Sequence, residues 1–268
     1  MNEIGFNQEF TKLELQYGVL KEQVANQLEM YTHLVEVVGP NLKSNYMMLI
    51  GQLEHRLFEL KTEINRWKRR FALRQQALNR GEKPDYLAIE VKLDEEFAKY
   101  LEEIKQHLAE LKEASLRYHA GRMTDEESTE IRCAYLNAVK KLHPDINPSL
   151  PASAVDLWNQ IQQAYSAQDW DQFRFLTGLV DNVVAGKVKF DASADGMAAL
   201  KAACERMRER SREIAEQTAK LKSTVPYTYE VILEDEDLVR DRQNQLKAQL
   251  RALEECVKEY EELWNHGK

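Results

Sequence analysis

Residues 42–80, LKSNYMMLIGQLEHRLFELKTEINRWKRRFALRQQALNR, decide the fold through the spacing of their apolar side chains. From Tyr46 an apolar residue recurs at alternating steps of four and three: Ile50, Leu53, Leu57, Leu60, Ile64, Trp67 and Phe71, then Arg74, then Leu78. This heptad spacing puts one apolar stripe on an α-helix, and the stripe needs a second helix to cover it. Asn79-Arg80-Gly81 supplies a helix C-terminus and Pro84 follows, so the chain reverses there. A second seam, Leu93, Phe97, Tyr100, Ile104, His107, Leu111, Ala114 and Tyr118, then belongs to an antiparallel neighbour. The spacing predicts a coiled-coil hairpin over 41–119.

The charges select the same pairing. Residues 61–80 carry Lys61, Arg66, Lys68, Arg69, Arg70, Arg74 and Arg80 against Glu63, a balance of +6. The stretch folded opposite, 86–105, carries Glu90, Asp94, Glu95, Glu96, Glu102 and Glu103 against Lys92, Lys99 and Lys105, a balance of -3. Opposite flanking charges are how coiled-coil helices choose one another. A nucleic-acid role for the basic run would need Trp67 and Phe71 free to stack on bases, and both belong to the seam.

The pattern recurs toward the C-terminus. Met197, Leu200, Cys204, Met207, Ser211, Ile214, Thr218 and Leu221 form a weaker seam, Val225-Pro226-Tyr227 interrupts it, and Val239, Gln243, Leu246, Leu250, Leu253, Val257, Tyr260 and Trp264 form another. A second coiled-coil hairpin is expected over 183–268. Residues 1–40 hold a separate helix marked by Leu13, Tyr17, Leu20, Val24, Leu28 and Tyr31; it is expected to end at Gly39-Pro40 and to pack along the base of the first hairpin.

Composition agrees with an all-α chain: among 268 residues only 10 are Gly and 6 Pro, beside 43% hydrophobic and 31% charged residues. A formal charge of -8 disfavours nucleic acid and anionic membrane surfaces, so proteins are the expected partners. Cys133, Cys204 and Cys256 form no CxxC pair for zinc or redox cycling, which fits a reducing cytoplasm. The opening MNEIGFNQEF lacks the basic and apolar regions of a signal peptide, and no apolar run approaches the roughly 20 residues needed to cross a bilayer.

Residues 120–182 leave the heptad pattern and carry the one motif with functional content. Thr124-Asp125-Glu126-Glu127 is a capping box that starts a helix. Ile131, Tyr135, Ala138, Val139 and Leu142 give that helix a buried stripe, and Lys140 and Lys141 suit its last turn. Pro144 disfavours helical geometry at His143, so the helix stops there and His143-Pro144-Asp145 forms a polar loop. A second helix opens near Ser153, with Trp158, Ile161, Ala164 and Tyr165 on its inner face.

EIRCAYLNAVKKLHPDINP (Glu130 to Pro148), followed by LWNQIQQAYSA (Leu157 to Ala167), resembles the J domain of DnaJ-type co-chaperones over about 40 residues. In that family the His-Pro-Asp tripeptide projects into a DnaK-type ATPase and stimulates its ATP hydrolysis. The resemblance implies that His143, Pro144 and Asp145 contact such a partner, that Arg132, Lys140 and Lys141 form the basic docking face, and that the chain is not itself an enzyme. Leu136 and Asn137 stand where that face is usually basic. The family's usual first helix is absent as such, and Leu116, Tyr118, Gly121 and Met123 are expected to stand in for it. No cofactor is implied, and His143 with Asp145 supplies at most two metal ligands. Two functions follow as expectations: a co-chaperone whose coiled coils bind an unknown client or target, or a non-enzymatic scaffold whose J-like region is a packing unit.

Overall fold

A computed structural model describes residues 3–119, 123–182 and 190–266. Every element is helical: α1 (Glu3–His33), a π-helical turn (Leu34–Val38), α2 (Gly39–Tyr46), a second π-helical turn (Met47–Gly51), α3 (Gln52–Asn79), α4 (Tyr86–His119), α5 (Asp125–Leu142), α6 (Ala152–Ala167), α7 (Trp170–Gly178), α8 (Ala194–Lys222), the short α9 (Glu230–Leu233) and α10 (Glu236–His266). Single 3₁₀ turns lie at Val180–Asn182 and Tyr227–Tyr229. The class is all-α, with no strand among the described residues. The chain forms two compact units, one of residues 1–40 and 122–227, the other of 41–121 and 228–268. The edges expected at residues 120 and 183 lie outside the described residues.

In the second unit α3 and α4 form the expected antiparallel pair. Arg66 meets Asp94 at 2.5 Å and Arg70 meets Glu90 at 2.6 Å, while Lys43 of the preceding α2 meets Glu110 at 2.9 Å, so partner numbers on α4 fall as the numbers before the turn rise. The reversal is closed by hydrogen bonds from the Glu82 N–H to the Ala77 carbonyl and from the Gly81 N–H to the Leu78 carbonyl, both 3.0 Å, with Gly81 at φ 71°. That left-handed position favours glycine because a side chain there strains the backbone. Asp85 then caps α4, its carboxylate accepting from the N–H groups of Leu87 and Ala88. The other face of α3 is covered by α10: Ile50, Leu57, Leu60 and Ile64 pack with Leu246, Leu250 and Val257. Arg242 to Glu54 at 2.7 Å and Trp264 beside Trp67 show numbers rising together, so this pair is parallel.

The first unit contains α1 and α5–α8 around one core of Val24, Ala25, Leu28, Ile131, Tyr135, Val139, Leu142, Trp158, Ile161, Tyr165, Phe173, Met207 and Ile214. Helix α8 lies parallel to α1, with Lys201 to Glu9 at 2.9 Å and the Gln23 side-chain amide donating to the Ser211 hydroxyl at 2.8 Å.

The expected C-terminal hairpin over 183–268 therefore does not form. Its two seams are buried much as their spacing predicts, through Met197, Leu200, Cys204, Met207, Ser211, Ile214 and Thr218 on α8 and Leu246, Leu250, Val257 and Trp264 on α10. Their partners are α1 and α3, in different units. Heptad spacing fixes which face is buried, whereas side-chain chemistry selects the partner. Polar Ser211 on α8 finds Gln23, while aromatic Tyr260 and Trp264 on α10 find Phe71 and Trp67.

Two expectations for the N-terminal helix are also corrected. It belongs with α5 and α8, on which it packs, and not to the unit that holds the hairpin. Nor does the helical backbone stop at Gly39-Pro40: Gly39 has φ -58° and ψ -52°, and its N–H donates to the Leu34 carbonyl. Pro40 follows directly on the π-helical turn, where the Gly39 N–H already reaches back five residues to the Leu34 carbonyl and the regular ladder is locally displaced. Gly39 serves close approach instead. The Tyr227 hydroxyl donates to the same Leu34 carbonyl at 2.6 Å, and a Cβ on Gly39 would come within 2.8 Å of that hydroxyl.

Candidate functional site

The site grows out of the α5–α6 pair. The Thr124 hydroxyl accepts from the Glu127 N–H at 3.2 Å and the Glu127 carboxylate accepts from the Thr124 N–H at 2.9 Å, a complete capping box that fixes the start of α5. Pro144 fixes its end: His143 is extended, at φ -70° and ψ 130°. The Asn147 side-chain amide donates to the Lys140 carbonyl at 2.8 Å, satisfying one orphan acceptor of the last turn. The His143 carbonyl accepts from the Ile146 and Asn147 N–H groups, and buried Ile146 anchors the loop in the core.

His143 is not the fully exposed contact that a loop position suggests. Its side chain is 15% exposed, and its ring stands edge-on to Trp158 at 5.2 Å. The Asp145 N–H donates to His143 Nδ1 at 3.0 Å, which leaves the neutral ring's proton on Nε2. Burial lowers the His143 pKa below the ordinary histidine value; Asp145 opposes the shift and Arg210 adds to it. Pro144 is exposed and Asp145 is 35% exposed. Trp158 in turn packs on Tyr135, and Tyr135 on Tyr165, so the imidazole rests on an aromatic stack spanning both helices.

The charged residues assigned to docking are all engaged within the first unit. Arg132 makes a two-pronged contact with Glu29 of α1, at 2.7 and 3.0 Å, and Glu29 is 5% exposed. Lys140 meets Glu22 of α1 at 2.5 Å, and Lys141 meets Asp181 at 2.5 Å. Asp145 meets Arg210 of α8 at 2.6 Å. Glu29 is thus the buried member of its pair with Arg132, which is 44% exposed, and beside them lies His33, whose pKa is lowered first by burial and then by Arg132. Arg132 projects to α1, about three helical turns from the loop that Lys140 and Lys141 adjoin.

Of the residues expected to stand in for the family's first helix, Leu116 and Tyr118 are exposed and belong to the second unit, Met123 packs partly buried against the core of the first, and Gly121 lies outside the described residues. Val24, Ala25 and Leu28 of α1 cover α5 instead. Glu22, Glu29 and Arg210 were not foreseen as site residues. Glu29 lies 103 residues from Arg132 and Arg210 lies 65 from Asp145, and nothing local in either helix names the other.

No group of three or more metal-ligating side chains occurs among the described residues, and none of their helices is long and apolar enough to cross a membrane. Comparison of the chain with protein-family models, with curated proteins and with solved structures gives no match.

Proposed function

We propose that this chain is a DnaJ-like co-chaperone whose His143-Pro144-Asp145 loop engages a DnaK-type ATPase and stimulates its ATP hydrolysis. The observation that carries the reading is the loop's presentation. The tripeptide caps a rigid antiparallel helix pair, with Pro144 exposed, Asp145 half-exposed and His143 fixed by Trp158. A carboxylate held on a stiff element makes a strong, directional contact with a partner's cation. The ATP site belongs to the partner, so this chain needs no catalytic group or cofactor of its own. Free thiols at Cys133, Cys204 and Cys256 suit a reducing cytoplasm.

The test adds the purified chain to a DnaK-type ATPase from the same organism and follows ATP turnover. Turnover is expected to rise, and His143→Gln or Asp145→Asn to abolish the rise while circular dichroism stays unchanged. The second reading, a non-enzymatic adaptor in which α5 and α6 are a packing unit, is favoured by one observation: their core is continuous with α1 and α8. Absence of stimulation, under conditions where a standard J protein works, selects the adaptor.

A further inference from the structure

We infer that the partner-docking face is masked in cis by side chains of α1, α8 and the 3₁₀ turn after α7, which imitate the charges of a partner; the inference rests on the co-chaperone reading. The face presents three cations and one anion, Arg132, Lys140, Lys141 and Asp145. Three anions and one cation meet them one to one: Glu29, Glu22, Asp181 and Arg210. A partner able to recognise that face would carry the same inverse pattern, so it competes with groups the chain already supplies.

The four pairs are not equally exchangeable. Glu29 is buried, and taking Arg132 from it would strand a charge away from water, so that pair stays closed. The other three lie at the surface: side-chain exposure is 36% and 58% for Lys140–Glu22, 41% and 73% for Lys141–Asp181, and 32% and 35% for Arg210–Asp145. Pairs so exposed are individually weak and open readily. Arg210 also has somewhere to go. Its guanidinium already meets Glu213 at 3.0 Å, so it keeps an acid when it leaves Asp145.

Release is by side-chain exchange, not by helix departure. Val24, Ala25 and Leu28 of α1 and Met207 and Ile214 of α8 share the core with α5 and α6, and withdrawing either helix would open that core to water. The mask is therefore a graded competitor that weakens docking without closing the site.

The experiment uses the full chain with Arg210→Gln, Glu22→Gln and Asp181→Asn, singly and combined, and a DnaK-type ATPase from the same organism. The readout is the concentration giving half-maximal stimulation of ATP turnover. Each single change is expected to lower it about two- to fivefold, and the triple variant further, because well-separated pairs add in free energy. Circular dichroism verifies folding, and the single variants decide the matter if the triple does not fold. Stimulation by the variants but not by the unaltered chain also supports the mask. Stimulation by the unaltered chain with half-maximal concentrations that stay the same or rise overturns the mask and leaves the co-chaperone reading standing. Absence of stimulation by every protein overturns both.

Discussion

The unit of residues 41–121 and 228–268 and the unit of residues 1–40 and 122–227 are both built from helices with apolar seams, yet they handle charge differently. In the former, Arg66, Arg70 and Lys43 flank the seam and meet acids whose side chains are 40% exposed or more, as in an ordinary coiled coil. In the latter, Arg132 meets an acid drawn into the core, Glu29, and His33 and His143 are held against the Tyr165 hydroxyl and the Trp158 ring. Surface pairs cost little to lose, whereas inward-facing polar groups make the unit depend on each partner staying in place.

The largest expected difference lies in the aromatic cores. Trp158 is 3% exposed near the middle of α6, and Trp158→Ala should cost about 3 to 5 kcal/mol. Trp264 is almost as buried but sits in the last turn of α10, where fraying relieves the cavity. Trp264→Ala should therefore lower the melting temperature less, and equal losses in a thermal melt would break the contrast.

A smaller difference is expected for paired charges. Arg132→Ala leaves the buried Glu29 carboxylate without its guanidinium and should cost about 1 to 3 kcal/mol, the lower end if water enters where the half-exposed Arg132 stood. Arg242→Ala removes an exposed partner of Glu54, which still accepts from the Tyr46 hydroxyl at 3.1 Å, and should cost about 1 kcal/mol or less. Urea titrations of the two variants make the comparison, and similar midpoint shifts would count against it.

The smallest effect is one of pH. Burial lowers the pKa of His33 and His143, so the unfolded chain takes up protons first. Their contribution is complete above the ordinary histidine value of 6.5 and is lost as the pH falls below it. In the other unit the hydrogen bond from Arg70 lowers the Glu90 pKa, and that from Lys43 lowers the Glu110 pKa. Their contributions are complete above the ordinary 4.5 and are lost only below it. The first unit should soften at milder acidity. Each unit holds two of the four tryptophans, so Trp67→Phe with Trp264→Phe leaves fluorescence that reports the first unit alone. Simultaneous acid transitions in both units would refute the ordering.

The same contrast explains what was legible from the sequence. The α3–α4 hairpin was open to reading because its seam, its turn at Gly81 and its opposite charges all act within about 80 residues. The capping box, the end of α5 at Pro144 and the inner faces of α5 and α6 were legible for the same local reason. Pairing of α8 with α1 and of α10 with α3 was not, because a heptad repeat specifies a face and says nothing of direction or distance. Arg210 was hidden more deeply still: on its own helix it is one more exposed cation beside a seam, and only the long-range placement of α8 brings it to Asp145.

The parallel pairing of α1 with α8 also bears on synthesis. Glu9 and Lys201 are 192 residues apart in the chain, so the apolar face of α1 emerges long before its cover exists. At ordinary translation rates of about 5 to 20 residues per second, that face waits on the order of 10 to 40 s at the ribosome. The α3–α4 hairpin, closed by a short turn, folds within that interval, while Val24, Ala25 and Leu28 remain uncovered by α5 and α8 until those helices have been made.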